Sequence, residues 1–156
     1  MEPQEITLED LQTALTAAGV GNFSAHEITY LPKAKPPRCI VPQDPTMLDN
    51  LLRVAFLAQA IRTELGAPLS VSSGYRPDWY NTAVGGAPSS AHLRAAAIDL
   101  NARTSDEALK LRSIVEKLWK ERAHDFAGLG LYHKAPKRVH VDVSHPGGHG
   151  HRRWWY

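Results

Sequence analysis

The hexapeptide RVHVDV, residues 138–143, admits one regular structure. β-Branched residues recur at every second position, the period of a strand with one face buried. Val139, Val141 and Val143 therefore face a core, while Arg138, His140 and Asp142 share the opposite face. A polar triplet on one face of an otherwise apolar strand marks solvent or a site. The chain must then supply partner strands and an apolar cover. Its 156 residues, 43% of them hydrophobic, suit one compact domain over 1–156, and two full domains are not expected.

The remaining elements follow from periodicity and punctuation. A helix is expected over 8–18, with Thr7 and Asp10 as a capping box and Leu8, Leu11, Leu15 and Ala18 as its apolar stripe. Five prolines from Pro32 to Pro45 argue against a helix or central strand, so residues 20–45 are read as irregular. Residues 1–45 are thus a helix plus a Pro-rich segment of the same domain. The clearest helix follows, capped by Asp44 with Pro45 at its first position, carrying Leu48, Leu51, Ala55, Ala58, Ile61 and Leu65, and stopping at Gly66. LSVSS (69–73) reads as a strand, 75–91 as a loop, 96–100 as a buried strand and 105–121 as a helix capped by Thr104 or Ser105. GLGLY (128–132) and 138–143 complete the strands, and the tail is rich in Gly and His, then basic and aromatic. The fold class expected is α+β, a small, mostly antiparallel sheet with helices packed on one side.

Composition removes several functions. A single cysteine, Cys39, excludes an intramolecular disulfide and a cysteine-based zinc cluster. No run approaches the roughly 18–20 apolar residues of a membrane span, so no membrane insertion is expected. The acidic start, MEPQEITLED, is unlike a signal peptide. A net charge of +2 does not announce nucleic-acid binding, and the RRWWY ending lacks the basic stripe that a DNA-binding reading needs. Eight histidines stand out, five of them from His133 onward. Histidine is the commonest metal ligand and the acid or base closest to neutral pH.

Three segments concentrate groups capable of chemistry: Ser90-Ala91-His92 with Asp99 seven residues on, His140 with Asp142, and Ser73-Gly74-Tyr75-Arg76 after a strand. His92, Asp99 and His140 would give a metal two imidazoles and one carboxylate, with a fourth position open for water. Spacing alone leaves other readings open. Asp99 could cap a strand end, His92 could sit on a loop surface, and His140 could lie on an ordinary wet sheet face.

The ordered set S-G-Y-R, S-x-H-(six residues)-D, H-V-D and R-x-W at Arg152 and Trp154 resembles the zinc D-alanyl-D-alanine carboxypeptidases, with phage-type endolysins and murein endopeptidases as the nearest branch. The resemblance covers about residues 20–156. It implies a zinc peptidase of bacterial peptidoglycan with His92, Asp99 and His140 as ligands. It also implies that Arg76, with Tyr75 and Ser90 beside it, meets the substrate. A guanidinium suits a substrate carboxylate or carbonyl; Ser90 would orient the loop or a ligand.

Two positions depart from the family pattern. Ala95 stands where Gly is usual, at a cost of about 1 kcal/mol if the backbone there has positive φ. Lys137 stands where many relatives carry a catalytic carboxylate. Asp142 is the natural substitute, either taking a proton from water or orienting His140, and His133 could act as an acid or stabilise an oxyanion. His145, His149 and His151 suggest a loop at the site rim more than a metal tract; Trp154, Trp155 and Tyr156 suggest edge packing more than sugar stacking. The chain is expected to be a monomer, made in the cytoplasm without a signal peptide and acting on the wall as a phage, prophage or virion lysis protein. A non-catalytic wall-binding or virion structural module keeping the fold is the alternative.

Overall fold

The computed structural model describes residues 2–145, 148 and 150–155. Its elements in chain order are α1 (Leu8–Ala17), α2 (Ala25–Thr29), β1 (Tyr30–Leu31), β2 (Arg38–Cys39), α3 (Pro45–Leu65), β3 (Leu69–Ser73), α4 (Asp78–Ala83), β4 (Ala97–Ala102), α5 (Ser105–Glu121), β5 (Gly128–Leu131), β6 (Arg138–Asp142) and β7 (Arg152–Trp155). Short 3₁₀ turns cover Ala91–Arg94 and Ala123–Asp125. β1 and β2 form a small antiparallel hairpin, and the other strands form one sheet in the order β3-β4-β6-β5-β7. Every pairing in that sheet is antiparallel except β5 with β7. The α+β class with a mostly antiparallel sheet is as expected from the sequence.

One sheet face is sealed by helices. Ile98, Leu100, Leu129, Leu131, Val139 and Val141 are buried against Leu51, Val54, Ala58 and Ile61 of α3 and Leu111, Val115 and Leu118 of α5. Each such side chain contributes about 1.5–3 kcal/mol on burial, which fixes the register of the strands that carry them. A one-residue slip would drive Val139 and Val141 outward and His140 into the core.

The helix ends obey local chemistry. The Thr7 backbone N–H donates to Asp10 Oδ2 at 2.8 Å and the Asp10 N–H donates to Thr7 Oγ1 at 3.1 Å, closing the expected capping box. Asp44 Oδ1 accepts from the N–H groups of Thr46 and Met47 at 2.8 and 3.1 Å, with Pro45 opening α3. Thr104, not Ser105, caps α5.

Three segments are more regular than the sequence suggested. The stretch 20–45 holds α2, opened by a Ser24–Glu27 capping box, and the β1–β2 hairpin. The loop 75–91 contains α4. The basic, aromatic ending forms β7 beside β5; of the histidines and aromatics singled out there, His149 and Tyr156 lie outside the described residues.

Asp44→Ala removes the acceptor for two orphan N–H groups of the longest helix. It is expected to cost about 1 kcal/mol, or a Tm decrease of roughly 2–4 °C in a chain of this size. A thermal melt checks this.

Candidate metal centre

The sheet face opposite the core carries the chemistry. Across it run two rows of paired positions. One is Ser73, Asp99, His140, Gly130 and Trp154; the other is Ala97, Asp142, Gly128 and Arg152. The β4–β6 register thus sets Asp99 directly opposite His140. The glycines of GLGLY make room for what crosses them. A Cβ at residue 128 would lie 2.3 Å from Asp142 Oδ2, and one at residue 130 would lie 2.7 Å from the Trp154 ring. Both distances are closer than real Cβ contacts, so a side chain at either position would displace a site group.

His92 arrives from outside the sheet, on the 3₁₀ turn Ala91–Arg94. Ser90 Oγ caps that turn, accepting from the His92 N–H at 3.3 Å. The turn ends at Ala95, whose φ of 55° is left-handed, the conformation that favours Gly at this position. The fully buried methyl offsets part of that strain by packing.

The imidazoles are fixed by partners that leave one nitrogen each facing inward. The His92 Nδ1–H donates to the Gly74 carbonyl at 2.7 Å. A carbonyl only accepts, so His92 Nε2 carries the lone pair, 3.3 Å from Asp99 Oδ1. His140 sits between two carboxylates, with Nε2 2.7 Å from Asp142 Oδ2 and Nδ1 2.9 Å from Asp99 Oδ1. One ligand atom from each of His92, Asp99 and His140 lies within 4.8 Å of the others, and all three residues are buried. Two imidazole nitrogens and a carboxylate oxygen, each imidazole steadied by a hydrogen bond on its far side, are a donor set that fits a divalent ion.

The charge states suit the same purpose. Burial pushes His92 down, so it is neutral and able to ligate. Burial opposes ionisation of Asp99, but the imidazoles beside it, with the His140 Nδ1–H donating at 2.9 Å, outweigh it and hold its pKa far below the usual carboxylate range. Burial also opposes charging His140, yet Asp142 and Asp99 overcome it and hold its pKa up at about 9.

The site opens into a cleft of about 460 Å³ lined by Arg76, Ser90, His92, Asp99, His140, Asp142, Arg152, Trp154 and their neighbours. Arg76 is held by Ser73 Oγ, which accepts from Nε at 2.8 Å, and by Asn81 Oδ1 at 3.4 Å; its Nη2 lies 3.7 Å from Asp99 Oδ2. The structure therefore gathers His92, Asp99, His140, Asp142, Arg76 and Ser90. Tyr75 packs against the core, outside the cleft lining. His133 is exposed and stacks on Trp155, ring centres 5.3 Å apart, and it too lies outside the lining. Lys137 is exposed on the turn before β6.

Sequence reasoning missed three supports. Asn81 holds Arg76 and is itself tied to the Ala87 carbonyl at 3.0 Å. Asn50 of α3 donates to the Arg94 carbonyl at 3.0 Å, steadying the His92 turn. Arg53 donates to Asn50 Oδ1 and to the Ser144 carbonyl at 2.6 and 2.7 Å, steadying the end of β6. A signal for Asn50 was present: it is a polar residue in the buried row Asn50, Val54, Leu57, Ile61.

A family profile described as Peptidase M15 matches residues 5–142. The chain belongs to the peptidase M15 family. This bears out the resemblance to the zinc D-Ala-D-Ala carboxypeptidase-like enzymes and makes the chain a member of a metal-dependent peptidase family. A comparison with curated proteins returns no match.

The raised pKa of His140 gives this M15 member a pH signature. In the metal-free fold the protonated ring contributes stability fully below its ordinary value of 6.5, and that contribution is lost as pH rises through about 9. An ion at Nδ1 must displace that proton. Metal affinity is expected to rise about tenfold per pH unit up to pH 9, with about one proton released per ion. Calorimetry in buffers of different ionisation enthalpy reads both; an affinity flat over this window would contradict the assignment.

Proposed function

We propose that the chain is a zinc peptidase that hydrolyses peptide bonds of bacterial peptidoglycan, as an endolysin-like endopeptidase or a D,D-carboxypeptidase. The observation that carries this reading is the convergence of His92 Nε2, Asp99 Oδ1 and His140 Nδ1 in an open cleft of an M15 family member. Residues 1–156 would work as one domain and as a monomer, acting on the wall.

His92, Asp99 and His140 would hold the ion, and borderline-soft zinc suits two imidazoles and a carboxylate. When bound, it supplies Lewis acidity toward the scissile carbonyl and an acidified water. The rest falls to the protein. Asp142 keeps the His140 Nε2–H engaged, which holds the Nδ1 lone pair toward the ion. With Lys137 outside the cleft, Asp142 is also the carboxylate beyond Asp99, among the described residues lining it, that can accept a proton. Arg76, held by Ser73 and Asn81, presents its guanidinium to a substrate carboxylate or carbonyl. Ser90 keeps the His92 turn in shape. The exposed His133 on Trp155 gives no support to a role as acid or oxyanion donor.

Digestion of purified peptidoglycan, with mass spectrometry of the fragments, tests this reading. Wild-type protein with stoichiometric zinc is expected to release defined peptide fragments, and chelator or His140→Ala to abolish release. Digestion unchanged in chelator would sink the metal mechanism. No digestion of any wall type by the zinc-loaded protein would favour a wall-binding module that keeps the fold.

A further inference from the structure

The cleft carries a second guanidinium whose situation differs from that of every closed ion pair on the surface. Arg152 lies on β7, in the row Ala97, Asp142, Gly128, Arg152, and lines the same cleft as the three converging ligand atoms. Arg76 follows β3 and Arg152 sits on β7, the two opposite edges of the sheet, with Asp99 and His140 on the strands between. A substrate lying across the ligands therefore meets a cation at each end.

Arg152 is positioned, and its ion pair with Asp142 is a long one. Its Nε donates to the Gly150 carbonyl at 3.2 Å, and its guanidinium carbon lies 5.4 Å from the centre of the Trp154 ring. Trp154 is in turn seated over Gly130, its ring 5.0 Å from that of His140. These contacts engage the Nε side and one face of the guanidinium, and the residue lines the cleft. There Nη2 reaches Asp142 only at 3.4 and 3.5 Å. Charge-assisted bonds close at about 2.7–2.9 Å, as Arg122 to Asp125 does at 2.6 Å and Arg103 to Glu107 at 2.7 Å. Asp142 is already committed to His140 at 2.7 Å. Arg153, which also lines the cleft, is paired with Glu116. The two cleft carboxylates balance Arg76 and Arg152, so a divalent ion would leave the cleft positive and in want of an anionic ligand.

We propose that Arg152 is a specificity-determining residue that receives a carboxylate of the substrate, at the end of the cleft opposite Arg76, and so selects peptides bearing a free acid over their amides. This rests on the peptidase reading above and narrows its substrate class to carboxylate-bearing peptides. The guanidinium fork matches a carboxylate in two-point geometry, which an amide cannot equal.

The test is binding rather than turnover, so its failure is separable from failure of the peptidase reading. The zinc-loaded protein is titrated by calorimetry with two peptides, L-Ala-γ-D-Glu-L-Lys with its C-terminus amidated, so that the glutamyl α-carboxylate is its one free acid, and the same peptide with that carboxylate also a carboxamide. Wild type is expected to bind the acid about tenfold or more tightly than the amide. Arg152→Gln should erase that preference while the affinity for the amide moves less than about threefold; Arg152→Lys should retain part of it. Zinc content and Tm, measured on each variant, show whether the site is intact. Equal binding of the two peptides by wild type, no binding of either, or a preference that survives Arg152→Gln overturns the proposal. A preference lost in Arg152→Gln by a protein that digests no peptidoglycan would uphold the carboxylate subsite and overturn the peptidase reading alone.

Discussion

The His140 ring, held between two buried carboxylates, is the contact on which the site depends. Ionised groups out of water are tolerated only when paired and hydrogen-bonded. Asp99 and Asp142 meet that condition through opposite nitrogens of one imidazole, at 2.9 and 2.7 Å. The consequence is directional. Because Asp142 takes Nε2, Nδ1 is the nitrogen turned toward Asp99 and His92. The β4–β6 register supplies this arrangement, and the valines between the polar positions hold that register by burying themselves against α3 and α5.

Around that ring the protein places small residues and long-range struts. Gly128 and Gly130 leave the sheet face open where Asp142 and Trp154 must lie. Ala95 takes a left-handed turn at the end of the His92 segment. Asn50 and Arg53 reach from α3 to the His92 turn on one side and to the end of β6 on the other, so the helix that covers the core also braces both halves of the site. Core packing and site geometry are therefore coupled. A change that moves α3 acts on both the His92 turn and the end of β6.

The sequence revealed those parts of the molecule whose signals are local and periodic. The alternation in RVHVDV, the apolar stripe of α3 and the caps at Thr7 and Asp44 all state their structure within one turn or one strand. α2 was hidden because the five prolines downstream dominate the reading of 20–45, although its Ser24–Glu27 capping box was present. β7 is four residues long, follows a Gly- and His-rich stretch and pairs in parallel with a strand more than twenty residues away, which no local pattern announces. The site was legible only in part for a similar reason. His92 and Asp99 gain meaning from Gly74 and His140, which reach them through the fold. Asn81 and Arg53 do their work by hydrogen bonds that only tertiary structure creates.

Which atoms hold the ion is decided by an anomalous-diffraction crystal structure of the zinc-loaded protein. One ion is expected, bonded to His92 Nε2, Asp99 Oδ1 and His140 Nδ1, with Zn–N distances of about 2.0–2.1 Å and Asp142 still on His140 Nε2. An ion bonded to His140 Nε2 together with Asp142, or no ion at these three residues, would contradict it.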